Sequence, residues 1–409
     1  MNISEHIEQA ELACESVFKE IDRREERHTR RVLSLFQKHR IALRHFSGSE
    51  GYGYDDVGRD TLEKLIADLF NTEAAIFRPQ IASGTHALSL CLFGLLKPGD
   101  HLLAACGDPY DTLRDVIGLD GPVPGSLAEM GVTYSMVPPD MEGDIDVPAV
   151  LAAIRPQTKV LHLQRSRGYS DRKSFLPRDM APLFKAVKAA RPDIFLFVDN
   201  CYGAFTADDE PSDYGADCVA GSLIKNLGGG LAPTGGYIAG THEAIERIAA
   251  RLTAPGIGLE VGSYAPGYRL FYQGIFMAPH TVAQALKTSV LAARVFQQLG
   301  MGTRPSWDTP RSDIIQAIFL ESPQKLIAFC RGIQAVSPVD SFAAPEPWDM
   351  PGYQDQVIMA AGTFVPGASI ELSCDGPLRP PFTAYLQGAL TYAHGKIALR
   401  SALEAMLSV

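Results

Sequence analysis

"GSLIKNLGGGLAPTGGYIAG", residues 221–240, sets a single cation, Lys225, among glycines, small residues and apolar residues. Three readings compete for it: a solvated loop lysine, the lysine of a glycine-rich phosphate loop, or a buried amine whose lowered pKa suits it to a Schiff base. A phosphate loop needs GxxxxGK followed by Ser or Thr between a strand and a helix, but here the glycines follow the lysine. A dinucleotide loop needs "GLAPTG" to open a helix, whereas "GGYIAG" has the apolar, glycine-bounded texture of a strand. The Schiff-base reading fits best.

Working outward, apolar segments alternate with helical ones. "AAIFRP", "HLLAAC", "VTYSMVP", "KVLHLQ", "IFLFVDN", "DCVAGSLI" and "GGYIAG" read as seven strands. Between them, the stretch after "SGTHALSLCLFGLL", "DVPAVLAAI" and "DMAPLFKAVKAA" read as helices. This predicts an α/β fold with a mostly parallel seven-stranded sheet covered by helices, over residues 51–280. Upstream, residues 4–40 have apolar positions at helical spacing amid mixed charge, which predicts a helical arm within residues 1–50. "TLEKLIADLFN" restores a helix after a glycine break, with Asp60 or Thr61 as its expected cap. Downstream, "PHTVAQALKTSVLAARVFQQLG" reads as a long helix. "QAIFLES", "IQAVSPVD", "QVIMAAGTFV" and "ASIELSC" then read as short antiparallel strands, and "TAYLQGALTYAHGKIALRSALEAML" as a closing helix, giving a smaller α+β domain over residues 281–409.

The chain has 409 residues and a formal net charge of -10 with no long basic stripe, so it lacks the footprint of a nucleic-acid binder. Seven cysteines are scattered without a CxxC pair, which argues for reduced thiols and a cytoplasmic protein. No apolar run is long enough to span a bilayer, and no His, Cys and carboxylate cluster has metal-ligand spacing, so no metal site is expected. His86 and His280 are read as structural or cofactor-side groups.

In such sheets ligands sit at the carboxyl ends of the strands. After "AAIFRPQI" comes "ASGTHAL", small residues opening a helix whose first N–H groups form a ready anion site or an ordinary cap. After "IFLFVD" comes "NCYGAF", leaving Asp199 at the end of an apolar strand, where it must pair with something or bond a turn. Ser222 stands three positions before Lys225.

In this order "SGTHAL", "GDPYDTL", "VDNCYGAF" and "GSLIKN" resemble the fold type I enzymes that use pyridoxal 5'-phosphate. More narrowly, "GSEGYGYDDVGRDTLEKLIADLF", "PQIASGTHAL", "LQRSRGYS" and "SLIKNLGGGLAPTGGYIAG" resemble the methionine gamma-lyase-like family of aluminium-resistance proteins, relatives of cystathionine beta-lyase, across nearly the whole chain. The resemblance implies that Lys225 carries pyridoxal phosphate as a Schiff base and that Asp199 pairs with the ring nitrogen. It implies that Ser83, Gly84, Thr85 and Ser222 hold the phosphate, and that Tyr110 covers the ring, with Tyr202 and Gln164 also at the cofactor. Tyr52 and Tyr54 would enter the site of a neighbouring copy, which implies a homodimer or a dimer of dimers. Arg379 is the choice for the substrate carboxylate, because a guanidinium grips a carboxylate with two hydrogen bonds.

The chain departs from the better-known lyases where they show an acidic residue and an Asn-Pro pair near the cofactor's phenolic oxygen. Here "LQRSRGYS" puts Gln164, Arg165 and Arg167, and a cation beside that oxygen would change the reaction outcome more than cofactor binding. The implied activity is elimination at the β or γ carbon of a sulfur-containing amino acid, giving a 2-oxo acid and ammonia. The same residues would also serve an aminotransferase, or a cofactor-binding stress-response protein without turnover.

Overall fold

The computed structural model describes residues 2–121, 123–170, 172–350 and 355–409. Its larger sheet has seven strands: β1 (Ala74–Arg78), β2 (His101–Ala105), β3 (Thr133–Val137), β4 (Thr158–Gln164), β5 (Phe195–Asp199), β6 (Cys218–Ser222) and β7 (Gly236–Gly240). Across the sheet they lie in the order β1-β7-β6-β5-β4-β2-β3. Strands β3, β2, β4, β5 and β6 pair in parallel, while β7 is antiparallel to both β6 and β1. The sheet is therefore mixed. The reason is the connection from β6 to β7, which has only a 3-10 turn at Asn226–Gly228 and no crossover helix, so the chain comes back in the opposite direction.

Eleven helices occur among the described residues. They are α1 (Ile3–Ala13), α2 (Glu15–Lys38), α3 (Val57–Leu69), α4 (Gly84–Leu95), α5 (Asp111–Ile117), α6 (Val147–Ala153), α7 (Pro177–Ala190), α8 (His242–Leu252), α9 (Arg269–Gln298), α10 (Pro323–Gln334) and α11 (Tyr392–Leu407). Helix α3 starts earlier than the sequence suggested: its cap is Asp56, whose carboxylate accepts the Arg59 N–H at 3.0 Å, and not Asp60 or Thr61. Likewise α9 begins at Arg269, because Phe271, Tyr272 and Ile275 add a buried face ahead of Pro279. None of the helices is long and apolar enough to cross a membrane, among the described residues. All seven cysteines are buried free thiols.

The chain forms two units. One comprises Arg30–Leu223 and Leu231–Phe276 and contains the larger sheet. Its core packs α4 and α8 on one sheet face, where Leu88, Cys91 and Ile248 meet Val160, Phe197, Ala220 and Ile238. The other comprises Met1–Thr29, Ile224–Gly230 and Met277–Val409. Its antiparallel sheet has β8 (Thr303–Arg304), β9 (Ile315–Phe319), β10 (Val357–Ala360), β11 (Ser373–Pro377) and β12 (Thr383–Gln387), in the order β10-β11-β12-β9-β8. One face of that sheet packs Ile318, Ile358, Cys374 and Leu386 against Phe329, Leu399 and Leu403 of α10 and α11.

Three local readings of this unit are corrected. Residues 333–340 are not a strand: Ser322 caps α10, Pro323 sits at its first turn, and Ile333 is buried on its inner face. The strand expected from residue 368 starts at Ser373, because Glu371 turns its carboxylate onto the N–H groups of Phe364 and Val365 at 2.8 and 3.0 Å. "TAYLQ" is strand β12 rather than the start of the closing helix, and Thr391 caps α11 after it.

Candidate functional site

The carboxyl ends of the parallel strands gather polar side chains on one sheet face. Gln164 and Asp199 end β4 and β5 as direct partners, and Ser222 ends β6 two residues beyond Ala220, the partner of Asp199. Because strand side chains alternate, all three share the face that α4 covers, with His162 and Phe197 one step deeper.

At this edge the first turn of α4 meets β6. Ser83 caps the helix, its hydroxyl accepting the His86 N–H at 3.0 Å, and His86 Nδ1 accepts from the Ala82 N–H at 3.1 Å. A Cβ placed on Gly84 would lie 3.3 Å from both Ser222 Cβ and Cys201 Sγ, so glycine is what lets the helix start approach the strand end this closely. Thr85 Oγ1 shares a 2.7 Å hydrogen bond with Thr112 Oγ1. The first N–H groups of a helix have no intrahelical acceptor, so Gly84 and Thr85 with the Ser222 hydroxyl make a donor-rich pole. Its chemistry fits a phosphate ester.

Asp199 forms a second, acidic pole. It is buried, and its Oδ1 accepts the Cys201 N–H at 2.9 Å. The loop after it is fixed by a buried ion pair that the sequence did not reveal: Arg165 donates to Glu210 at 3.0 Å, to Asn200 Oδ1 at 2.8 Å and to Thr206 Oγ1 at 3.2 Å. Glu210 also accepts from Asn200 at 3.0 Å and from the Phe205 N–H at 3.2 Å. Burial pushes the Glu210 carboxyl up, and Arg165 opposes that shift. Along the chain, nothing in "ADDEPSD" sets Glu210 apart from the acids beside it.

Beside Gln164, Gly168 has φ +56, and a Cβ there would lie 3.1 Å from both Gln164 Nε2 and Tyr110 Cδ2. Gln164 Nε2 donates to the Ser166 carbonyl at 3.0 Å, while its buried Oε1 has no protein partner. Arg172 clamps this turn from behind, donating to the carbonyls of Gln164 at 2.8 Å and Ser166 at 2.5 Å. Of the two cations in this stretch, Arg165 is held by Glu210, and Arg167 donates to the Ser170 carbonyl at 2.9 Å. Each guanidinium serves the loops that carry the site.

The structure thus brings together Ser83, Gly84, Thr85, Tyr110, Gln164, Asp199 and Ser222 in one unit. Tyr202 lies on the loop after β5 with φ +68. Tyr52 and Tyr54 stand apart, 72% and 62% exposed, with ring centroids 5.6 Å apart. Lys225 and Arg379 belong to the other unit. Lys225 precedes the 3-10 turn Asn226–Gly228, three residues past the end of β6, and Arg379 pairs with Asp355 at 3.0 Å on an exposed turn. His280 pairs with Glu25 at 2.8 Å. His162 escaped the sequence reading, although a histidine inside the apolar run "KVLHLQ" was a usable signal.

Residues 3–407 match the family model described as methionine gamma-lyase. An uncharacterized protein of Bacillus subtilis, YnbB, is 49% identical over 400 residues, 98% of this chain and 95% of that protein. A solved structure from Clostridium novyi, described as a carbon-sulfur lyase involved in aluminum resistance, is 47% identical with a TM-score of 0.95, covering 100% of this chain and 96% of that one. At 17% identity, a pyridoxal-5'-phosphate dependent protein of Escherichia coli, YhfS, shares the fold with a TM-score of 0.64 over 95% of this chain and 97% of its own.

Proposed function

This chain belongs to the methionine gamma-lyase family, and from that premise we propose that it is a pyridoxal 5'-phosphate-dependent carbon–sulfur lyase. Its substrate is a sulfur-containing amino acid, which β- or γ-elimination and hydrolysis convert to a 2-oxo acid, ammonia and a thiol. The observation that carries this reading is the pairing of a donor-rich pole at Gly84, Thr85 and Ser222 with a buried, backbone-anchored Asp199 on the same sheet face. That pair of poles suits a group with a phosphate at one end and a basic ring nitrogen at the other.

When bound, the cofactor takes up the electron pair released at the substrate Cα. The side chains around it divide the remaining work. Gly84 and Thr85 N–H groups and the Ser222 hydroxyl bind the phosphate, and Ser83 keeps the helix start in place. Asp199 holds a proton at the ring nitrogen, its own orientation set by the Cys201 N–H. Tyr110 would cover the cofactor ring, and Gln164 and Tyr202 would complete the cofactor's surroundings. Lys225 would anchor the cofactor, and its Nζ would move the Cα proton. Arg379, paired with Asp355 at 3.0 Å, would take the substrate carboxylate. Tyr52 and Tyr54, exposed as they are, serve the phosphate site of a second copy in a homo-oligomer.

Two measurements test the reading. Purified protein should absorb in the visible, borohydride should fix the cofactor to the chain, and Lys225→Ala should lose the fixed adduct. Incubation with cystathionine, cysteine and methionine should release pyruvate or 2-oxobutyrate. A colourless chain that added cofactor cannot reconstitute would sink the proposal, and a coloured chain that releases neither acid from a broad amino-acid panel would sink its lyase half.

A further inference from the structure

We infer that Ser369, Ser373 and Gln387, on the second face of the smaller sheet, select substrates whose side chain ends in a hydrogen-bond donor such as a second amino group. The inference rests on the reading of Lys225 given above. Strand alternation fixes the geometry: Cys374, Ala384 and Leu386 face the apolar core, so Ser373, Asp375, Tyr385 and Gln387 face the other way. In an antiparallel sheet that second face is ordinarily solvated, yet all four residues are less than a tenth exposed. Ser373 and Gln387 are direct cross-strand partners, and Gln387 Nε2 donates to Asp375 Oδ2 at 3.3 Å. Gln387 Oε1, Ser373 Oγ and Ser369 Oγ are buried without any protein hydrogen-bond partner. A Cβ on Gly388 would lie 2.5 Å from the Ser369 carbonyl oxygen, so Ser369 stands beside the end of the sheet where Ser373 and Gln387 pair.

That end is where the segment carrying Lys225 packs within the same unit. A Cβ on Gly367 would lie 3.6 Å from Ile224 Cδ1, and Leu390 Cδ2 fills the place of a Cβ on Gly230. Both ends of Ile224–Gly230 therefore touch the chain that flanks Ser369 and Gln387. A buried polar atom without a partner is destabilising, and three together mark a place where a ligand atom restores the missing bonds. None of these side chains is cationic, and Asp375 stands behind the amide of Gln387. The set therefore accepts hydrogen bonds from an ammonium group, repels a second carboxylate placed on it, and gives nothing to a hydrocarbon tail.

The test is calorimetric titration of the full chain, purified with its cofactor, with L-lysine and L-norleucine, which match in length and differ in the distal amino group. Wild type should bind lysine on the order of tenfold more tightly. Gln387→Leu should bring the two ligands within about twofold of each other, and Gln387→Glu should widen the gap. If the leucine variant does not fold, Ser373→Ala replaces it and should also narrow the gap. Equal affinities in wild type, binding of neither ligand, or a preference that survives in a folded Gln387→Leu or Ser373→Ala protein overturns the inference. The visible spectrum taken before titration judges the cofactor separately, so a colourless protein that still prefers lysine would sink the lyase reading and leave the selective face standing.

Discussion

Buried in mid-strand β4, His162 has no protein partner for Nε2, lies 5.3 Å ring to ring from Phe197, and is pushed down to about 4, chiefly by burial. The nearby Asp199 charge pulls the other way and does not win. The imidazole is therefore neutral in the folded chain across the range where it takes a proton in the unfolded one. Between its ordinary value near 6.5 and about 4, the unfolded state binds more protons, so stability falls as pH falls. His162 should contribute a loss of about 3 kcal/mol by pH 4, and none of it above pH 7. Urea denaturation from pH 4 to 7 at fixed ionic strength, compared with His162→Phe, reads this directly: the variant should lose that part of the acid slope. Identical slopes in the two proteins would place the acid sensitivity elsewhere.

At the scale of elements, the loop after β5 shows how the site is held in position. Arg165 and Glu210 form its centre, and a Cβ on Gly203 would collide with Asn200 Oδ1 and Arg165 Nη1. Removing one buried charge leaves the other uncompensated, which costs about 3–5 kcal/mol. Arg165→Met should therefore lower the urea midpoint strongly, and adding Glu210→Gln should recover part of the loss because the orphaned carboxylate is gone. If the double variant is no more stable than the single one, the ion pair is not what organises the loop. The same scale explains the misread elements. "IQAVSPVD" and "TAYLQ" are short apolar runs for which helix and strand patterns compete, and packing into the one apolar core of the smaller sheet decided between them.

For the whole molecule, Tyr52 and Tyr54 are among the large apolar side chains left uncovered in their unit. The proposed oligomer would cover the tyrosines. Light scattering should return at least twice the mass of one chain, and Tyr52→Ser with Tyr54→Ser should weaken cofactor retention or association; a monomer that holds its cofactor normally would refute the shared site. The strand ends that carry the candidate residues were legible beforehand: Asp199, Ser222 and the Ser83–Thr85 turn each follow a short apolar run bounded by small or turn residues, and each run is a strand in the fold. The period of apolar residues and the position of glycines after Lys225 likewise determined the α/β class and excluded the phosphate and dinucleotide loops. What tertiary structure alone decided was which charges are spent on the protein itself. Arg165 and Glu210 lie 45 positions apart, and Ser373 faces Gln387 only once β11 and β12 pair. Local pattern fixes which face of a strand or helix is apolar, but whether a buried polar group finds a partner depends on residues that only folding brings within hydrogen-bond reach.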